Sequence, residues 1–284
     1  MIEMKRISKK FGDKQVLKNI TLEAGAGEIV GLLGPSGAGK TTIIKILTGQ
    51  LKQDEGSAFV LGDDNLHFQK NTLEKLGIMM DNFGIYDRLS VWENMKFYAE
   101  IYGAGREDIE AALSAVDMLD SKKTKAMNLS KGMKNRLSLA RAIMNHKKIL
   151  FLDEPTSGLD PASALEIHKL IGNLKNDGCC VFLTTHNMEE ATKLCDRVNI
   201  LYDGEIIEAG KVTDICTRHQ VEKAFRIVTK EDDEILLPYE KNSAAVIGEM
   251  LEKQNIKSVH TTEPTLEKVF LQLTGHDFEE ADNE

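Results

Sequence analysis

An α/β fold built on a mainly parallel sheet is predicted by three stretches of this chain, in this order. Gly34-Pro35-Ser36-Gly37-Ala38-Gly39-Lys40-Thr41 fits the phosphate-loop pattern G-x-x-x-x-G-K-[ST], in which glycines let backbone N–H groups close around phosphates and the lysine reaches the terminal ones. Leu129-Ser130-Lys131-Gly132-Met133 opens a second helical pattern. Ile149-Leu150-Phe151-Leu152 then ends in Asp153-Glu154, the form of a buried parallel strand that delivers two carboxylates to its C-terminal edge, where such sheets bind ligands.

Each element has its own warrant. Apolar Ile29-Val30-Gly31-Leu32-Leu33 precedes the glycine-rich loop and Ile43, Ile44, Ile46 and Leu47 follow it, so the loop joins a strand to a helix that Gly49 caps at its far end. Unpaired N–H groups and the positive helix dipole at that junction form an anion site. Lys40 supplies a point charge, Thr41 offers a hydroxyl to Mg²⁺, and the candidate nucleotide contacts run on to Thr42. Ser130 is a good N-cap, with Met133, Leu137, Ala140 and Met144 at helical spacing behind it, so a second helix N-terminus is available to phosphate. Asp153 is placed to hold the magnesium through water and Glu154 to orient or deprotonate the attacking water. Pro155 to Asp160 follows, and a further strand-like run, Val181-Phe182-Leu183-Thr184-Thr185, ends in His186.

In this register the chain resembles the nucleotide-binding subunit of an ATP-binding cassette (ABC) transporter over residues 1–215. The resemblance implies a P-loop cassette with a mixed sheet core, a helical subdomain near residues 90–145, and ATP with Mg²⁺ as ligands. It implies that Phe11 stacks on adenine and that Ser130, Lys131 and Gly132 belong to the family signature, which completes the ATP site of the opposite subunit. By the same resemblance Asp160 is the inter-subunit aspartate and His186 the switch histidine at the γ-phosphate. With two half-sites on one chain that cannot close on each other, the same resemblance implies a head-to-tail dimer held by ATP, whose binding favours the closed state.

Three features depart from the common family pattern. Where most members carry glutamine at a strand end, this chain has Asp81, or Asn82 if the register slips by one. A carboxylate adds a full charge beside metal and phosphate where an amide offers a dipole, so Asp81 is expected to bind the metal and to change metal affinity or the hydrolysis step. An acidic residue here resembles a subgroup that exports bacitracin-like or lantibiotic peptides. In the signature, Lys131 and Met133 stand where glycine and glutamine are commonest, which restricts the backbone near the phosphate. The third departure is the C-terminal piece.

That piece, 216–275, reads as a small α+β appendage with strand-like runs Ala224–Val228 and Ile235–Leu237 and two amphipathic helices. In the second helix Leu266, Val269, Phe270 and Leu273 form one apolar face. The stretch from Glu263 to Gly275 resembles the ending of exporter ATPases whose permeases are separate polypeptides. Residues 276–284 are acidic without an apolar stripe and read as a solvated tail.

Composition adds bounds. A chain of 284 residues with 42% hydrophobic content can bury a large core. No apolar run approaches membrane-spanning length, and the N-terminus lacks a signal peptide's apolar segment; the subunit is expected at the cytoplasmic face of the membrane, held there only through a permease. Cys179, Cys180, Cys195 and Cys216 show neither disulfide nor metal spacing, which fits a reducing compartment, with Cys179 and Cys180 read as core. A net charge of −9 without aromatic-interleaved basic blocks counts against nucleic acid as a partner.

The expected function is therefore ATP binding and hydrolysis that powers a bacterial exporter through a separate membrane permease and a second ATP-binding subunit, with drug or peptide-antibiotic export as the cargo class. The rival is a soluble ABC ATPase acting in translation or DNA maintenance, which usually carries paired cassettes, a coiled-coil insertion or zinc-binding cysteines; none is legible here. A regulatory module that binds ATP without turnover is opposed by the presence of Glu154. By analogy the apolar cluster Phe83, Ile85, Tyr86, Leu89, Val91 and Trp92 lines the permease groove or packs as core, with Phe83 and Tyr86 the candidates for exposed contact.

Overall fold

Alternating apolar residues build the first hairpin. In β1 (Ile2–Phe11), Ile2, Met4 and Ile7 are buried, and in β2 (Lys14–Ala24) Ile20, Leu22 and Ala24 follow a period of two. The two strands pair antiparallel from Ile2↔Ala24 to Phe11↔Lys14. The computed structural model describes residues 1–80, 84–219, 223–262 and 265–275. Asp81, Asn82 and Phe83 lie outside the described residues, as does the acidic tail.

The chain continues with β3 (Ile29–Leu33), α1 (Lys40–Leu47), β4 (Glu55–Val60), β5 (Asp63–Asp64), α2 (Lys70–Glu74) and β6 (Leu76–Met79). Three helices follow, α3 (Val91–Tyr102), α4 (Arg106–Ala115) and α5 (Lys131–Ile143). Then come β7 (Ile149–Asp153), α6 (Pro161–Asn176), β8 (Cys180–Thr185), α7 (Met188–Leu194), β9 (Arg197–Tyr202) and β10 (Glu205–Gly210). Two sheets result. The antiparallel one has the order β2-β1-β4-β5; the other, β10-β9-β3-β8-β7-β6, is parallel except where β10 pairs antiparallel with β9.

The continuous apolar runs of β7 and β8 have a direct cause: both faces of this sheet are covered. Leu150, Leu152, Val181 and Leu183 join a cluster with residues of α3, α4, α5 and α6. Ile149, Phe151, Cys180 and Phe182 face a second cluster with β1, β2 and α1, where the Phe151 and Phe182 ring centroids are 6.2 Å apart. Burial pushes the Cys179 thiol up to about 11 and the Cys180 thiol up to about 12, in keeping with both acting as packing residues.

The helices start where the sequence marks them. Ser90 caps α3 in a reciprocal box with Glu93, Ser130 caps α5 by accepting from the Met133 N–H, and Gly49, at φ +71, follows the end of α1. These contacts belong to a first compact unit that runs to Gly210; a second begins at Lys211.

In the second unit, α8 (Val212–Arg218), β11 (Ala224–Thr229), β12 (Glu234–Pro238), α9 (Lys241–Glu252), β13 (Ile256–Thr262) and α10 (Leu266–Thr274) follow one another. Its sheet has the order β12-β11-β13, antiparallel throughout. Sequence reading draws the division at 215 and finds neither α8 as part of this unit nor β13 as a strand. Lys257 and His260 interrupt the apolar pattern of β13, and its pairing partner lies some thirty residues earlier in β11. On α10, Leu266, Val269 and Phe270 are buried, while Leu273 is 40% exposed and belongs to the rim of the apolar face.

Candidate functional site

The glycine-rich loop bridges β3 and α1. Gly37 and Gly39 take left-handed backbones at φ +79 and +112, and a Cβ on Gly39 would come within 2.7 Å of Leu17 Cδ2, so glycine is required there for both conformation and space. Gly39 is the N-cap of α1 and gives no side-chain cap. The first N–H groups of this helix therefore face the cavity in front of it.

That cavity has a volume of about 410 Å³ and is lined by Val16, Pro35, Ser36, Gly37, Gly39, Lys40, Thr41, Thr42, Lys131, Asp153, Glu154, Ser157 and His186. Gly34 and Ala38 are buried behind it. Phe11, Ser130, Gly132 and Asp160 stand outside this lining.

The charged groups are tied to one another. Lys40, 8% exposed, donates from Nζ to the carbonyl oxygens of Gly34 and Pro35 and lies 3.9 Å from Glu154 Oε1. Asp153 is buried; its Oδ2 accepts from Thr41 Oγ1 at 3.1 Å and its Oδ1 from Thr184 Oγ1 at 2.5 Å. The register explains this pairing, since Asp153 lies opposite Thr184 across the parallel β7–β8 ladder. Glu154 leaves the strand at φ +52, uncommon for a non-glycine residue, and its N–H points to the carbonyl and hydroxyl oxygens of Thr184, each 3.2 Å away. This turn directs its carboxylate to His186 Nδ1 at 2.5 Å.

The adjacent hydroxyl of Thr41 and carboxylate of Asp153 form a set of hard oxygen donors. They fit Mg²⁺, a cation that takes few protein ligands and completes its shell with water and substrate phosphates. No group of three or more His, Cys, Asp or Glu residues among those described forms a richer metal site.

The remaining candidates have other neighbours. Lys131, expected from the resemblance to serve an opposite subunit, reaches the cavity of its own chain and runs against Gly158, whose φ is +75. Gly132 backs onto Leu159, where a Cβ would meet Cδ2 at 3.0 Å. Asp160 caps α6, accepting from the N–H groups of Ala162 and Ser163 and from the Ser163 hydroxyl, and that hydroxyl bond holds its carboxyl below the usual range. Phe11 is half exposed at the end of β1, with Lys9 Nζ 5.5 Å from the ring centroid.

Sequence reading missed Val16, Ser157 and Thr184. Thr184 could have been found from the register of two adjacent parallel strands, both ending in polar residues. For Val16, brought in by the β1–β2 hairpin, no sequence signal exists.

Comparison with known proteins agrees with this geometry. The ABC transporter family model matches residues 17–157. The chain is 35% identical over 264 residues to the fluoroquinolones export ATP-binding protein of Mycobacterium tuberculosis, covering 91% of this chain and 87% of that one. It is 32% identical over 310 residues to the linearmycin resistance ATP-binding protein of Bacillus subtilis, covering 97% and 98%. Among solved structures, the dimeric structure of a bacterial ABC transporter cassette superposes with a TM-score of 0.69 at 28% identity, over 74% of this chain and 98% of that one. A post-hydrolysis dimer of that cassette, bound to ADP and Pi, superposes with a TM-score of 0.68 at 28% identity, over the same shares of the two chains.

Proposed function

The chain belongs to the ABC transporter ATP-binding family, and from that premise we propose that it drives export of antimicrobial compounds through a separate membrane permease. It is an ATPase of cassette fold. The observation that carries the catalytic reading is the meeting of Lys40, Thr41, Asp153, Glu154 and His186 in one cavity at the mouth of a helix.

In this reading the N–H groups of α1 and the Lys40 ammonium bind the phosphates of ATP, at the helix end that favours anions. Thr41 and Asp153 would hold Mg²⁺, which would supply charge neutralisation at the phosphates. Glu154 accepts a hydrogen bond from the attacking water and orients it in line with the γ-phosphorus, taking its proton as the new oxygen–phosphorus bond forms and the bond from the γ-phosphorus to the bridging oxygen breaks, so that ADP leaves with that electron pair. His186, fixed by the Glu154 carboxylate, faces the same phosphate. Phe11, exposed at a strand end, offers a ring for the adenine. Ser130, Lys131, Gly132 and Asp160 would complete the partner's site in a head-to-tail dimer, and the Asp81 carboxylate would be a further acidic donor for the metal.

Lys40→Ala removes a charged donor from the phosphates. Hydrogen bonds to charged groups contribute about 1.5–3 kcal/mol, so ATP affinity is expected to fall about 10- to 150-fold, as read by titration calorimetry. An affinity within twofold of wild type would remove Lys40 from the site.

No helix among the described residues is long and apolar enough to cross a membrane. In this reading the cassette works at the cytoplasmic face of the membrane and receives the permease near Tyr86. Tyr86 is 47% exposed and stacks edge-on with Phe97, 41% exposed, their ring centroids 5.0 Å apart; Val91 is fully buried core. Tyr86→Ala is expected to lower co-purification with the permease severalfold while the ATPase rate of the cassette stays unchanged. Equal recovery of the complex would place the docking surface elsewhere. The reading as a whole is tested by reconstituting the chain with its permease in vesicles. ATP-dependent efflux of a fluoroquinolone or a polyene antibiotic supports it, and stable recovery with ribosomes or DNA in place of a membrane protein overturns it.

A further inference from the structure

Glu190 is 6% exposed, and a buried carboxylate persists only where hydrogen bonds replace its water. Its partners come from three different segments. Oε1 accepts from Thr156 Oγ1 at 2.5 Å and lies 2.7 Å from His168 Nε2 on α6; Oε2 accepts from Thr185 Oγ1 at 2.8 Å. Thr156 follows Glu154 by two residues, and Thr185 immediately precedes His186.

The position on α7 sharpens the point. Asn187 is the N-cap and Glu190 the third helical residue, which in a capping box reaches back to the N-cap N–H. Here the Asn187 N–H is taken by Thr185 Oγ1 at 3.0 Å, and Asn187 Oδ1 accepts the Glu190 N–H at 2.8 Å. Local capping is satisfied without the Glu190 carboxylate, which is committed instead to Thr156 in the loop after Glu154, to His168 on α6 and to Thr185 at the end of β8.

We propose that Glu190 is a positioning residue of the ATPase site, clamping the loop after Glu154 to the loop that carries His186. The two segments are thereby joined twice: by the Glu154–His186 contact in the cavity, and by the Thr156–Glu190–Thr185 bridge, two residues after Glu154 on one segment and one residue before His186 on the other. The carboxylate holds Glu154 and His186 in mutual register and touches neither. This assignment rests on the ATPase reading of the site.

The test is steady-state kinetics in the preparation, isolated chain or permease complex, in which the wild type turns over, with ATP binding and thermal unfolding measured beside it. Glu190→Gln is expected to lower kcat about 10- to 100-fold, the cost of sub-ångström misplacement of reacting groups, while ATP affinity stays within about threefold because the α1 contacts are untouched. Thr156→Val and Thr185→Val are each expected to lower kcat, and the double variant to be no worse than the more severe single one, since both act through one carboxylate. Thr185→Ser, which keeps the hydroxyl, is expected to restore turnover. Wild-type kcat in Glu190→Gln, or parallel loss of ATP binding and turnover, overturns the proposal. If Glu190→Gln does not fold, the threonine variants decide: multiplicative losses overturn the clamp. Glu154→Gln serves as the separate arm, because retained turnover there removes the catalytic reading itself, whereas an inactive Glu154→Gln beside a fully active Glu190→Gln removes only the clamp.

Discussion

Glu154→Gln is expected to cut steady-state ATP turnover by about 10²- to 10⁴-fold, the usual contribution of a positioned general base, with ATP binding retained. The amide keeps the shape of the side chain and loses the acceptor charge that aligns and deprotonates water. With hydrolysis blocked, ATP-bound dimers should accumulate, since nothing removes the ligand that favours the closed state. Size-exclusion chromatography with multi-angle scattering, run with and without ATP, checks both halves of the expectation. Rapid turnover by the variant would show that the water is aligned elsewhere, and a monomer in saturating ATP would separate hydrolysis from dimerisation. The unusual backbone of Glu154 at φ +52 gives the effect its structural basis: a residue held in a sparsely populated conformation is fixed by its surroundings, here by the paired Thr184 oxygens.

Gly77→Ala is expected to destabilise the first unit by roughly 1–3 kcal/mol, toward the upper end of the overpacking range. A Cβ there would overlap the carbonyl oxygen of Ala142 in α5 and the Cδ2 of Leu150 in β7. A backbone carbonyl within a helix cannot turn aside as a long side chain can, so α5 must move off β6. The shift in melting temperature expected for a domain of this size is about 2–4 °C per kcal/mol, read by differential scanning calorimetry. Because α5 opens at Ser130, displacement of this helix should also shift the Ser130-Lys131-Gly132 segment that the proposed dimer presents to the partner's site, and lower turnover. An unchanged melting temperature would mean that the helix does not seat on Gly77.

The phosphate loop, the Asp153-Glu154 strand end, His186 and the N-cap at Ser130 were all legible because each depends on residues within a few positions of one another. Glycine spacing, an apolar run and a capping residue act locally, and the structure builds them where the pattern puts them. The strand β13 was not legible, since Lys257 and His260 break its pattern and its stability comes from pairing with β11. Asp160 shows the mixed case. Its place before Pro161 marks a helix start, and the structure makes it the cap of α6; its expected role across a subunit boundary depends on a second chain.

The sequence by itself determined an inventory of side chains and its order along the chain: a glycine-rich loop with Lys40 and Thr41 opening a helix, two carboxylates at one strand end and a histidine after another. The tertiary structure alone decided their company. It brought Thr184 to Asp153 across thirty-one residues, Lys131 to the cavity of its own chain, and Thr156, His168 and Thr185 to one buried carboxylate on Glu190. The physical reason is the range of the forces involved. Helix and strand periodicities are set by neighbours in the chain, whereas hydrogen bonds between loops at a sheet's edge require that the register of β7 and β8 and the packing on both sheet faces already be in place.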